Sequence, residues 1–153
     1  MGDYIRLRKM LNAPMELPAL SAGVVITPLW QAKPMALHTL LRAAYASGGG
    51  SVPDFNAWWW PLVEDPEFDP TLVIIASAGT EPVGLIQCWT SSFVKDLVVA
   101  PQWRDRGIGA FLLRTAFVEF TRRGAPHIDL KVEASNLAAQ RFYRRHGMVE
   151  VSG

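Results

Sequence analysis

The chain has 153 residues, half of them hydrophobic and 19% charged, a length and balance that suit one globular domain and exclude a disordered chain. Fifteen Lys/Arg against fourteen Asp/Glu leave a net charge of +1, so bulk electrostatics make no case for a nucleic-acid partner. The single cysteine, Cys88, cannot close a disulfide within the chain, and its apolar surroundings at 83–89 mark it as packing rather than a nucleophile.

No apolar stretch approaches the ~18 residues of a membrane span. Arg6, Arg8 and Lys9 precede a stretch broken by Asn12, Pro14, Glu16 and Pro18, a poor signal-peptide core. Gly2 follows Met1, but Arg6 stands where a myristoylation motif wants Ser or Thr. The expectation is a cytoplasmic protein with no membrane partner. Charge is unevenly placed. Up to Lys95 there are 6 Lys/Arg against 8 Asp/Glu, and from Asp96 onward 9 against 6. That asymmetry predicts an anionic ligand in the C-terminal part and a cationic one in the N-terminal part; ordinary uneven surface charge is the alternative.

In chain order, residues 1–20 read as an N-terminal arm or an extra strand, with rough alternation over 4–10. Residues 23–28 (Gly-Val-Val-Ile-Thr-Pro) form a β-branched strand stopped by proline. Met35, Leu37, His38, Leu40 and Leu41 recur at helical spacing over 34–45, and the run Ser47 to Ser51, with three glycines between, ends that helix. A second helical patch over 55–63 carries Trp58, Trp59 and Trp60. An acidic loop follows at 64–70. Residues 72–76 read as a buried strand, 79–82 as a hairpin turn, 83–89 as its second strand, and 95–100 as another strand closed by Pro101. From Gly107 a helix begins, with Leu112, Leu113, Ala116, Phe117 and Phe120 as its apolar stripe and Gly124 as its stop. Ile128, Leu130 and Val132 alternate as a strand, and Ser135 or Asn136 caps a last helix running to about His146. The pattern is one α/β domain over 1–153 with a mixed sheet.

The segment Arg104-Asp105-Arg106-Gly107-Ile108-Gly109 is a glycine-bearing turn between a strand and a helix. Free N–H groups at a helix start and the helix dipole favour phosphate, and two arginines flank the turn. It is no P-loop, which needs G-x-x-x-x-G-K-[ST]. It is no dinucleotide fingerprint either, since Leu112 takes the place of the third glycine. The plainer alternative is a glycine turn serving helix packing alone.

Two elements carry a resemblance. Leu97-x-Val99-x-Pro101-x-x-Arg104-x-x-Gly107-x-Gly109 is similar to the [QR]-x-x-G-x-[GA] signature of the GNAT superfamily of N-acetyltransferases. Leu130-x-Val132-x-x-x-Asn136-x-x-Ala139-x-x-x-Tyr143-x-x-x-Gly147 resembles that family's following strand and helix. The likeness is clear from about 71 to 151 and only architectural from 23 to 70. Asp105 stands where the family usually has glycine, and Met148 where an aromatic often follows. Family members also continue into two further strands. Residues 4–10 filling that edge, a strand donated by a partner chain in a homodimer, and a shorter sheet are the three solutions; the first two are favoured, because an open apolar edge invites association.

The resemblance implies a mostly antiparallel mixed sheet and a reaction in which acetyl-CoA donates its acetyl group to a small-molecule or peptide amine by direct attack in a ternary complex. It implies that Leu97, Val98 and Val99 pair with the pantetheine arm through their backbone. Arg104 is then the signature arginine, and the amides of Asp105, Arg106, Gly107, Ile108, Gly109 and Ala110 cradle the pyrophosphate. Asn136 caps its helix and touches the cofactor. Tyr143 takes the place of the family's general acid, since a phenol of pKa ~10 can protonate a departing thiolate; a tyrosine packed beside Phe142 is the alternative. Polyamine acetyltransferases carry a Glu-Asp pair where this chain has Lys95-Asp96, which leaves Asp96 to bind the amine or relay its proton, with Glu133 as a second candidate. The acceptor is expected near Trp58 to Trp60 and the acidic loop, where aromatic faces and carboxylates suit a cationic or aromatic amine; rim and core packing is the alternative. His38, His127 and His146 show no metal-ligand spacing, so no metal is expected. A non-catalytic acyl-CoA-binding or regulatory module is the rival reading.

Overall fold

The computed structural model describes residues 3–153, so Gly2 lies outside the described residues. The strands are β1 Tyr4–Met10, β2 Val24–Pro28, β3 Val73–Ala78, β4 Glu81–Trp89, β5 Phe93–Val99, β6 His127–Glu133 and β7 Val149–Val151. The helices are α1 Pro34–Tyr45, α2 Phe55–Glu64, α3 Ile108–Arg122 and α4 Leu137–Arg145. The strands form one mixed sheet in the order β2-β3-β4-β5-β6-β1-β7, antiparallel throughout except between β5 and β6. Among the described residues no helix is long and apolar enough to cross a membrane.

Strand alternation divides the core into two layers. Ile86 and Cys88 of β4 face α3, whose Leu112, Leu113, Ala116, Phe117 and Phe120 are buried. Burial pushes the Cys88 thiol pKa up, which keeps it protonated and unreactive. Leu85, one residue along, faces the opposite way with Ile75, against Leu37 and Leu41 of α1 and Trp58 and Leu62 of α2. One glycine governs how closely α3 can sit: a Cβ on Gly84 would stand 2.8 Å from Ile108 Cγ2. Its absence lets the first turn of α3 press on β4.

The N-terminal strand continues the sheet beyond β6. β1 lies between β6 and β7 and pairs with β6 along its whole length, from Tyr4↔Glu133 to Met10↔His127. Of the three solutions the sequence leaves open, the chain uses its own first strand. Leu7 is fully buried. On the other face of β1, Arg6 Nε donates to Asp129 Oδ2 at 2.7 Å, while Arg8 donates from Nε to Oδ1 at 2.8 Å and from Nη2 to Oδ2 at 2.9 Å. Burial pushes the Asp129 carboxyl up, but the two guanidiniums outweigh it and hold the group below the ordinary carboxylate range. Residues 11–20 carry no regular structure. The β3–β4 hairpin turn is tighter than expected: Ala78 pairs with Glu81, so Glu81 and Pro82 already belong to β4.

Candidate active site

β5 and β6 run parallel and meet at a single pair, Phe93↔Asp129. Beyond it they part. β5 keeps β4 on one side through Val99, while its other edge has no strand beside it. Alternate backbone N–H and C=O groups of its last residues therefore face a wide cleft. Leu97, Val98 and Val99 form one wall and 130–133 the other, with Gly107, Ile108, Gly109 and Ala110 at one end.

The glycine turn before α3 stands at that end. Gly107 is the residue before α3 and adopts φ 79, in the left-handed region that glycine reaches without steric cost. No side chain caps the helix there, so the first amides of α3 are open to an anion at the positive end of the dipole. Asp105 also lies in the left-handed region, at φ 61, which costs a side chain of its kind ~1 kcal/mol.

The flanking arginines behave differently from expectation. Arg104 lines the cleft but donates from Nη2 to the carbonyl of Ala44 at 3.1 Å, tying the turn to the end of α1. Arg106 stacks its guanidinium over Trp103 at 4.5 Å, its carbonyl accepts from Ser21 Oγ at 2.6 Å, and it is absent from the cleft wall. Further cations on the wall come from Lys95, Lys131 and Arg145. Sequence reasoning missed the last two, whose only signal was the positive excess of the C-terminal half.

Asn136 caps α4, its Oδ1 accepting from the amide of Ala139 at 3.1 Å, and lines the cleft as well. The glycine run that follows α1 reaches the same place: a Cβ on Gly49 would touch Asn136 Nδ2 at 3.5 Å, and one on Gly50 would collide with the Tyr45 ring at 2.7 Å. Tyr143 stands between two neighbours. Its ring packs edge-on against Phe142 with centroids 5.4 Å apart, and it also lines the cleft. Burial, then the charge of Asp96, pushes its hydroxyl up to about 12.

Asp96 is held from two sides. Tyr45 donates its hydroxyl to Oδ1 at 2.5 Å, and Lys95 Nζ donates to Oδ2 at 2.8 Å. Burial, then Asp96, pushes the Tyr45 hydroxyl well above the ordinary phenol range, and Tyr143 adds to the effect. These three groups therefore form one cluster. Tyr45, 51 positions before its partner, left no signal in the sequence beyond closing a predicted helix. Glu133 lies on the β6 wall of the cleft.

A second, narrow slot lies between the sheet and the early helices. Leu37, Leu41, Trp58, Trp59, Gln87 and Asp96 line it, so Asp96 belongs to both cavities. Trp60 instead turns to solvent at 53% exposure. The acidic loop does not face the slot. Asp69 accepts from Thr71 and pairs with Arg123, Glu67 accepts from the amide of Ser91, and Asp65 accepts from the amide of Glu67. These three carboxylates hold turns together, and no residue of the loop lines the slot, contrary to expectation.

A strand edge opened by splaying, leading to an uncapped glycine-headed helix, is the arrangement that the two sequence elements imply. The model of the Acetyltransferase (GNAT) family matches residues 35–148. The chain belongs to this family. An uncharacterized N-acetyltransferase of Archaeoglobus fulgidus is 32% identical over 98 residues, covering 58% of this chain and 64% of that protein. The crystal structure of a GCN5-related N-acetyltransferase from Sphaerobacter thermophilus matches with a TM-score of 0.80 at 24% identity, over 97% of this chain and 48% of its own. AAC(6')-Iy, solved in complex with the bisubstrate analogue CoA-S-monomethyl-acetylneamine, matches with a TM-score of 0.67 at 16% identity, over 85% of this chain and 93% of its own. The chain spans 38% to 64% of the length of the curated relatives it matches. As a member of the GNAT family it has both sequence elements on strands and helices, with Asp105 as the departure inside the turn.

Proposed function

We propose that this GNAT domain transfers the acetyl group of acetyl-CoA to a primary amine by direct attack within a ternary complex. The observation that carries the reading is the position of Asp96, shared by the cleft and the slot and close enough to Tyr143 to raise its pKa. The cleft suits the co-substrate. The free edge of Leu97, Val98 and Val99 offers backbone pairing to a pantetheine arm, and the amides after Gly107 offer donors to a pyrophosphate. Lys131 and Arg145 add positive charge.

Acetyl-CoA, when bound, supplies an activated acyl carbonyl. Asp96 holds the amine, which must be neutral to attack, and passes its proton toward solvent as the new C–N bond forms. Tyr143, kept protonated by burial, donates to the sulfur as the C–S bond breaks. The test is release of free CoA, read with a thiol reagent, when acetyl-CoA and a panel of amines are added; the buried Cys88 keeps the background low. Folded protein that shows no acetyl-CoA binding by calorimetry overturns the reading.

One observation favours a second reading. Both oxygens of Asp96 are engaged, by Tyr45 and by Lys95, which occupies the atoms a base would use. A non-catalytic acyl-CoA-binding module binds without turnover, and Tyr143→Phe leaves it unaffected. A large loss of kcat in that variant excludes it.

A further inference from the structure

Gln87 sits mid-strand in β4 at 3% exposure. Its Nε2 donates to the carbonyl of Cys88 at 3.1 Å, which fixes the orientation of the amide, and leaves Oε1 buried without a partner. Buried acceptors are almost always paired, because an unmet one forfeits its hydration and gains nothing in return. The residue opposite Gln87 on β5 is Asp96, and the two line the same slot beside the shift of register at Gln87/Cys88. An unmet neutral acceptor and a carboxylate thus face one small space.

The rest of that slot is apolar, from Leu37 and Leu41 to Trp58 and Trp59. Its free space is that of about one water molecule, the size of an amine head. The slot has a single carboxylate, and Lys95 lies 2.8 Å from it. A second cation on an acceptor would meet that ammonium, and no carboxylate of the 64–70 loop lines the slot to offset it.

We infer that Gln87 is a specificity residue of the acceptor site, its Oε1 taking one N–H of the incoming amine while Asp96 takes another, and that the acceptor is a compact monoamine with an apolar body. The inference rests on the acetyl-transfer reading for the site's use and deepens it. A neutral second acceptor also has a chemical advantage over a second carboxylate. It orients the nitrogen while raising the amine pKa less than a carboxylate would, so less of the acceptor is locked as ammonium. The apolar body lies against Trp59, which is only partly buried.

The test uses four probes, 3-methylbutylamine, 2-phenylethylamine, spermidine and kanamycin, on the whole chain. Binding to the CoA-loaded protein is followed by tryptophan fluorescence, which needs no turnover, and CoA release is measured in parallel with acetyl-CoA. The two apolar amines are expected to bind about tenfold more tightly than the polycations. Gln87→Leu is expected to raise the KM for 2-phenylethylamine about tenfold with the KM for acetyl-CoA unchanged. Gln87→Glu restores binding and moves the pH optimum upward. Tighter binding of spermidine or kanamycin overturns the inference. So does a Gln87→Leu protein whose amine binding and KM are unchanged, the result expected if Oε1 is met only by water. Apolar amines that bind in this Gln87-dependent way but release no CoA overturn the transfer reading alone.

Discussion

The cleft and the slot are made of different material. The cleft between β5 and β6 is largely backbone: a free strand edge, an uncapped helix start and a glycine at φ 79. The slot under α1 and α2 is side chains, with Leu37, Trp58, Gln87 and Asp96 drawn from four separate elements. A backbone site binds what every member of a family shares, because amides do not vary with sequence. A side-chain site binds what distinguishes one member from another. The two meet at Asp96.

That comparison can be broken or sharpened in four ways. The largest effect is expected at the apex where β5 and β6 part. Asp129→Ala leaves two guanidiniums without their buried partner and should cost about 3 kcal/mol of stability in denaturant titrations. Because the folded carboxyl lies below its unfolded value, its contribution is complete above about pH 4 and is lost as pH falls through the folded pKa. The wild-type advantage over the variant should shrink in that acidic window.

Tyr143→Phe comes next. A proton donor contributes about 100-fold or more, so kcat should fall by about that factor with the KM for acetyl-CoA unchanged in steady-state assays. With its hydroxyl near 12, Tyr143 stays protonated across the working range. The wild-type rate should rise as the amine loses its proton and show no fall from this group up to about pH 10. A falling limb near neutrality would separate Tyr143 from the acid role.

Gly84→Ala tests the cleft from behind. The added methyl, 2.8 Å from Ile108, must push back the first turn of α3 at a cost of about 2 kcal/mol. Calorimetry should show acetyl-CoA affinity falling while the amine probes bind as before, if cleft and slot are separable. Asp105→Gly should act in the opposite direction and least. It relieves the left-handed strain and removes a carboxylate from the turn, and a thermal melt should show up to ~1 kcal/mol of gain. Acetyl-CoA should bind a few-fold more tightly.

The same contrast explains what was legible in the sequence. The cleft could be read because its parts are contiguous and marked by residues with one physical use. Gly107 is needed at a left-handed position and Asn136 at a helix cap, and α1 runs from Pro34 to Tyr45 as its spacing and the following glycines imply. The slot could not be read in this way. Tyr45 finds Asp96 only because α1 lies across the sheet, and Gln87 looks like an incidental polar residue within an apolar strand. Arg104 and Arg106 show the limit even inside a motif. Their backbone positions follow from the turn, whereas their guanidiniums go to Ala44 and Trp103. β7 is too short to be assigned from sequence, and β1 is there only one of several ways to fill the edge. An edge strand's partner is chosen by register and by a distant aspartate, and neither is local.

The insertion of β1 between β6 and β7 has a consequence for biogenesis. Tyr4 pairs with Glu133 and Arg8 with Val149, so β1 leaves the ribosome long before the two strands that flank it are made. At ~5–20 residues per second, synthesis of that intervening stretch takes on the order of ten seconds. Throughout it an apolar strand is without its neighbours, flanked by the charges of Arg6, Arg8 and Lys9. Those cations, two of which later grip Asp129, meanwhile act as gatekeepers that discourage premature pairing with other nascent chains.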